Sequence, residues 1–220
     1  MSGGPGTARD AGWTVLVPIA SFAVGKTRFG PEGLHRATLA RAIALDTLDA
    51  VCATPGVGRV VVVTAGDDVR RAMPEGVEVV REAIADGARR SGVDAALARA
   101  AATVGAAARR AALPADLAAL APAELGAALE AAAAHPRAVV ADAEGTGTTL
   151  LTAVAGVPWV SAYGPASFAR HVDLGFHPLE VAADSGLRCD LDTPAQLADV
   201  ACRVGPRTAA LAAPRRTHAG

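Results

Sequence analysis

Two short runs of β-branched residues, "WTVLVP" (13–18) and "GRVVVVT" (58–64), flank a segment with helical periodicity. In that segment, "PEGLHRATLARAIALDTLDAVCAT" (31–54), Leu34, Ala37, Leu39, Ile43, Leu45, Leu48 and Val51 form a broad apolar stripe, with Pro31 near its start. Strands that are apolar along their whole length are buried on both faces, and a parallel pair of them needs a helical crossover. Further strand-like runs follow at 77–82, 137–142, 148–154, 178–182 and 187–191. The alternation predicts an α/β fold, with a mostly parallel mixed sheet flanked by helices on both faces.

At 220 residues and 51% hydrophobic, the chain suits one domain. We expect that domain over 13–205, between a disordered N-terminal tail (1–12) and a C-terminal tail (206–220). The alanine-rich region 93–134 favours helix, but Pro114 and Pro122 demand a break, and 109–113 reads equally as a strand or a helix end. A net charge of −1 gives no basic excess for a phosphate polymer, which argues against nucleic-acid binding. Three cysteines without ligand spacing fit a reducing compartment rather than a disulfide or zinc framework. With no signal-like or membrane-length apolar run, the expectation is a cytoplasmic protein with no membrane partner.

Lys26 is the one lysine among 21 basic residues, and it lies in "ASFAVGKTRFGPEG" (20–33), directly after the first strand. The stretch imitates a phosphate-binding loop of the G-K-T kind, but Gly30 and Pro31 delay the helix whose N-terminus such a loop requires. A looser loop fits better, with Gly25 allowing close backbone approach and Lys26 and Arg28 supplying cationic donors to a triphosphate.

In "LRCDLDTPAQL" (187–197), Asp190 and Asp192 would share one face of a strand. Two carboxylates about 4 Å apart repel by about 4 kcal/mol at an effective dielectric near 20, and a divalent cation reverses that. Asp116, at another break, is a candidate third ligand. A structural reading competes: Thr193, Pro194 and Gln196 form a capping box with proline at the first helical position, which accounts for Asp192 but not for Asp190.

Two glycine-containing stretches complete the set. "AEGTGTTL" (143–150) reads as an anion-binding concavity, with the Thr148 hydroxyl beside it, or as a plain hairpin turn. "YGPASFARH" (163–171) leads through Gly164 into a short helix with Ser167 in its first turn. The histidines are scattered and carry no assigned role; Arg170 and His171 read as a solvated helix face.

In this order the segments resemble the guanylyltransferases of coenzyme F-420 biosynthesis, which join GTP to 2-phospho-L-lactate or phosphoenolpyruvate. "ADAEGTGTTLL", "YGPASFARH" and "GLRCDLDTPAQL" carry the likeness best. The resemblance implies a Rossmann-like nucleotidyltransferase fold and magnesium held by Asp116, Asp190 and Asp192. It further implies an acceptor, a phosphorylated three-carbon acid, bound by Thr148, Gly164 and Ser167, and GTP phosphates faced by Lys26 and Arg28 as catalytic groups. It leaves open a homodimer. Ala20 stands where the family has a lysine, and Asp94 lies in the segment expected to meet the nucleotide. These departures define an alternative, a catalytically altered paralogue that binds a phosphate ligand or a partner protein.

Overall fold

A computed structural model describes residues 12–23, 33–82 and 92–212. Gly25, Lys26 and Arg28 lie outside the described residues, as do 1–11 and 213–220. The elements run β1 (Trp13–Pro18), α1 (Gly33–Cys52), β2 (Val57–Thr64), α2 (Asp67–Arg70), β3 (Glu78–Arg81), α3 (Val93–Val104) and β4 (Arg109–Ala112). They continue with α4 (Pro122–Ala132), β5 (Arg137–Ala141), β6 (Thr148–Ala153), α5 (Ser167–Asp173), β7 (His177–Pro178), a 3-10 turn (Gly186–Arg188), α6 (Pro194–Asp199) and α7 (Pro206–Ala212).

The strands form one sheet in the order β3-β2-β1-β4-β6-β5-β7. β6 runs antiparallel to both of its neighbours, and the other pairings are parallel. Side-chain alternation divides the core as the β-branched runs require. Val15 and Val17 of β1, with Val60 and Val62 of β2, pack towards Leu45 and Leu48 of α1 and Leu125 and Leu129 of α4. Leu16, Val61 and Val63 face the other way, against Ala96, Leu97 and Ala100 of α3. With both faces covered, uninterrupted apolar strands are stable here and would not be at a solvated surface.

After β3 the chain returns to the far side of β1 to form β4, so the connections leaving β1 and β4 diverge from adjacent strand ends. Open α/β sheets bind ligands at such a switch point, beyond the carboxyl ends of the strands. The segment beyond β4 carries Asp116. The segment beyond β1 is anchored by Asp68, whose Oδ2 accepts from the Ser21 hydroxyl and the Phe22 amide, both at 2.9 Å.

The structure departs from sequence expectations at three places and decides a fourth. Residues 187–191 are not a strand: the Ser185 hydroxyl accepts the Leu187 amide and starts a 3-10 turn instead. The strand expected at 178–182 shrinks to His177–Pro178 at the sheet edge. The undecided stretch 109–113 becomes β4, because its apolar residues fill the sheet between β1 and β6. Within the expected C-terminal tail, residues 206–212 form α7, which docks on α1 where buried Asp46 accepts the backbone amides of Arg207 and Thr208. Among the described residues, no helix is long and apolar enough to cross a membrane.

Candidate active site

A cleft of about 700 Å³ opens where the β5–β6 connection, the start of α5 and the start of α6 meet. Asp142, Glu144, Asp190, Asp192, Thr193 and Gln196 give it an acidic and polar wall, and Gly147, Gly164 and Ala166 bring backbone to its surface.

Asp142, at the end of β5, builds one side. Its Oδ1 accepts the Thr146 amide at 2.9 Å and its Oδ2 the Gly147 amide at 2.8 Å, closing the 142–147 turn on itself. A Cβ at residue 147 would collide with that carboxylate, so glycine is required there for contact, not for backbone angle. Of the two readings of 143–150, an anion-binding concavity or a plain turn, the structure shows a turn whose Thr146 and Gly147 amides are already taken by the Asp142 carboxylate. Arg188 then ties this turn to the next segment: its Nε and Nη2 donate to the Asp142 carbonyl, while its own carbonyl accepts the Ala143 amide.

The stretch after Arg188 lies along the segment beyond β4. Gly186 packs directly on the Ala119 backbone, with no room for a side chain, and its amide donates to Glu124. The Leu191 amide donates to the Asp116 carbonyl at 3.0 Å. These contacts bring Asp190 beside Asp116 without a strand to align them. Burial, and then the charges of Asp116, Asp192 and Asp142, push the Asp190 carboxyl up to about 6. Asp192 leads into the expected cap: the Thr193 hydroxyl accepts the Gln196 amide, and the Gln196 side chain returns to the amides of Asp192 and Thr193.

The neighbouring carboxylates that add to the burial-driven rise of Asp190 are the kind of charge a divalent cation offsets, and carboxylate oxygens suit hard ions such as magnesium or manganese. Among the described residues, no three carboxylate, imidazole or thiol groups form a ready-made cage. That is compatible with magnesium, which characteristically keeps water and takes phosphate oxygens beside one or two carboxylates.

The opposite side of the cleft is neutral, formed by Thr146, Gly147, Gly164, Pro165 and Ala166, with two buried hydroxyls behind it. Thr148 begins β6 and Ser167 begins α5, and the two hydroxyls lie 3.2 Å apart. His171, one turn further along α5, places Nδ1 2.9 Å from the Thr148 hydroxyl and accepts the Ala162 amide on Nε2 at 2.8 Å. His171 is 0% exposed, which corrects its reading as part of a solvated face; Arg170 does remain exposed. Nothing in ligand spacing flags this histidine. The available signal is its distance of four residues from Ser167, one helical turn on the same face. Ahead of Ser167, Gly164 (φ 115°) and Ala166 (φ 55°) both adopt left-handed backbone; for Ala166 this is a strained conformation held at the cleft wall.

Asp94 lies elsewhere. At the start of α3 its Oδ1 accepts the Tyr163 amide at 3.0 Å, so it anchors the segment before Gly164 and does not line the acidic cleft. Thus Asp116, Asp190 and Asp192 come together, Thr148 and Ser167 come together with Gly164 nearby, and Asp94 supports the second group from behind.

The sheet order and the cleft beyond the strand ends define a nucleotidyltransferase fold. A CMP:2-keto-3-deoxy-manno-octonic acid synthetase, solved with CTP, superposes with a TM-score of 0.56 at 15% identity, covering 86% of this chain and 96% of that one. The Mycobacterium tuberculosis protein Rv0371c, solved with manganese, superposes with a TM-score of 0.55 at 21% identity, covering 86% and 97%. No family model matches the chain. Full-length relatives do. The phosphoenolpyruvate guanylyltransferase of Thermomonospora curvata is 42% identical over 214 residues, 94% of this chain and 92% of the relative. That of Streptomyces coelicolor is 44% identical over 208 residues, covering 91% and 96%. The chain belongs to the phosphoenolpyruvate guanylyltransferase family.

Proposed function

We propose that this protein transfers a guanylyl group from GTP to the phosphate of phosphoenolpyruvate, or of the related 2-phospho-L-lactate, as a step of coenzyme F-420 biosynthesis. The observation that carries the reading is one cleft with two unlike walls, in a chain 42% identical to a phosphoenolpyruvate guanylyltransferase. An acidic wall suits a metal-bound phosphate, and a neutral hydroxyl wall suits the carboxylate or phosphate oxygens of a small acid.

In the reaction an acceptor phosphate oxygen bonds to the α-phosphorus of GTP. The bond from that phosphorus to the β-bridging oxygen breaks, and pyrophosphate leaves with the electron pair. The attacking oxygen is already anionic, so no general base is needed. The chain's task is alignment and charge compensation. Asp116, Asp190 and Asp192 would hold magnesium, which supplies Lewis-acid neutralisation of phosphate charge when bound. Thr148, Ser167 and the backbone at Gly164 would orient the acceptor. Lys26 and Arg28, with Gly25 permitting close approach, would face the GTP phosphates from the loop after β1. Asp94 contributes indirectly, through the Tyr163 amide. A cytoplasmic location belongs to the same reading, since GTP and magnesium are supplied there.

Incubation with GTP, magnesium and each of phosphoenolpyruvate, 2-phospho-L-lactate and 3-phosphoglycerate is the test. Pyrophosphate release, with a product whose mass equals acceptor plus guanylyl, is expected for the first or second. GTP binding without release for any acceptor would sink the proposal and favour the non-catalytic alternative.

A further inference from the structure

His171 completes a hydrogen-bond count that fixes the polarity of the neutral wall. A backbone N–H can only donate, so the Ala162 amide at 2.8 Å makes His171 Nε2 a lone-pair acceptor. The neutral ring then carries its proton on Nδ1 and donates to Thr148 Oγ1 at 2.9 Å. Burial, with Asp94 opposing it and Arg170 adding to it, holds the ring's pKa down at about 4, so it stays neutral at physiological pH. Tyr163 and Phe176 meet the ring edge-on, at centroid distances of 5.2 and 5.5 Å, and fix its plane.

Three hydrogens are therefore shared among His171, Thr148 and Ser167. One, on Nδ1, is spent on Thr148. The hydroxyls can then be arranged in two ways: Ser167 donates to Thr148, leaving the Thr148 hydrogen over, or Thr148 donates to Ser167, leaving the Ser167 hydrogen over. In both arrangements one O–H remains to be donated. With the opposite tautomer Thr148 would donate to the ring, Ser167 to Thr148, and none would remain. Gly147 and Ala166, the chain neighbours of the two hydroxyl residues, line the cleft, so the largely buried pair lies one residue behind its surface.

We infer that His171 is a positioning residue for acceptor binding: by donating from Nδ1 to Thr148, it obliges the Thr148–Ser167 pair to present one O–H to an anionic oxygen of the three-carbon substrate. The inference rests on the acceptor reading given above and adds a residue and a polarity to it.

Two measurements test it. The first needs no turnover: in uniformly 15N-labelled protein, the His171 ring should show a protonated Nδ1 and a bare Nε2 at neutral pH. An Nε2–H tautomer overturns the inference whatever the acceptor. The second compares KM values for phosphoenolpyruvate and GTP in the wild type, His171→Leu, His171→Asn, Thr148→Val and the His171→Leu/Thr148→Val double variant. His171→Leu should raise the acceptor KM by about 10-fold or more, as expected for a lost hydrogen bond to a charged group, and leave the GTP KM unchanged. Asparagine, whose Nδ2 stands near the position of Nδ1, should recover most of the loss. In the Thr148→Val background the leucine change should add nothing further.

Equal losses for leucine and asparagine, a matching rise in the GTP KM, or additive effects in the double variant would each show a merely structural histidine. If His171→Leu does not fold, the asparagine variant and the labelled ring still separate a positioning histidine from a structural one. A wild type that is silent with phosphoenolpyruvate but has Nδ1 protonated would defeat the activity reading and leave the hydrogen-bond assignment standing.

Discussion

The two walls of the cleft solve the problem of buried polar groups in opposite ways. On the acidic wall, Asp190 is raised by burial and by the neighbouring charges of Asp116, Asp192 and Asp142. On the hydroxyl wall, Thr148, Ser167 and His171 are 8%, 2% and 0% exposed, and each finds a partner inside the protein. The contrast separates two kinds of readiness. Under the proposed function, the acidic wall would have its repulsion relieved by a bound cation, whereas the hydroxyl wall makes its hydrogen bonds beforehand, so that little would reorganise on acceptor binding.

The comparison breaks most visibly at Asp190. Asp190→Asn should lower kcat/KM by roughly 10³-fold, the scale of one lost electrostatic contact to a phosphoryl-transfer transition state. The metal-free melting temperature should hold or rise, because the change removes repulsion. A large fall in melting temperature would mean that the acidic wall is structural.

pH distinguishes the walls by sign. Folded His171 titrates near 4 and its unfolded form near 6.5, so the unfolded chain binds the extra proton between those values. Stability from this residue is present above about 6.5 and is lost as pH falls towards 4, by about 3 kcal/mol. Asp190 acts in the reverse direction. Its folded value near 6 exceeds the unfolded value of about 3.9, so its contribution is present below about 4 and is lost as pH rises through 6. In urea titrations from about pH 4.5 to 7, His171→Asn should flatten the acid loss of stability and Asp190→Asn should steepen it. Magnesium should stabilise the wild type more at about pH 7 than at pH 5, where the proton competes.

Two smaller changes probe what supports the acidic wall. Gly147→Ala would drive a methyl group into the Asp142 carboxylate and should cost about 2 kcal/mol in chemical denaturation, as overpacking does. Thr193→Ala removes the α6 cap and one uncharged hydroxyl of the cleft wall, so thermal melting should report about 1 kcal/mol and turnover should change far less than in Asp190→Asn.

Local pattern makes some of this legible and hides the rest. The capping box at Thr193 and Gln196 can be read from the sequence because its partners are three residues apart. The grouping of Asp190 with Asp192 is also right in outcome, since both line the cleft, although the strand invoked to align them is a 3-10 turn followed by extended chain. That turn depends on Glu124 and the Ala119 backbone, more than sixty residues away, and no local pattern encodes them. The turn that Asp142 closes cannot be read from the sequence, because an aspartate after an apolar strand is common. The importance of Asp142 comes from the 142–147 turn closing on its carboxylate. His171 escapes sequence reasoning because a histidine beside an arginine on a short helix looks solvated until β6 and the 157–166 segment cover it.

What the sequence by itself determined is the layered α/β plan. Hydrophobic periodicity is a short-range property, and the β-branched runs and helical stripes leave few other ways to bury both faces of the strands. It also determined the candidate residue types, carboxylates in two stretches and hydroxyls in two others. Only the tertiary structure decided which of them meet. The order β3-β2-β1-β4-β6-β5-β7 brings the ends of β4 and β5 to the start of antiparallel β6, and with them residues from 116 to 192. Electrostatic coupling and hydrogen-bond polarity depend on distances of a few ångströms, and those distances exist only after the long-range contacts have formed.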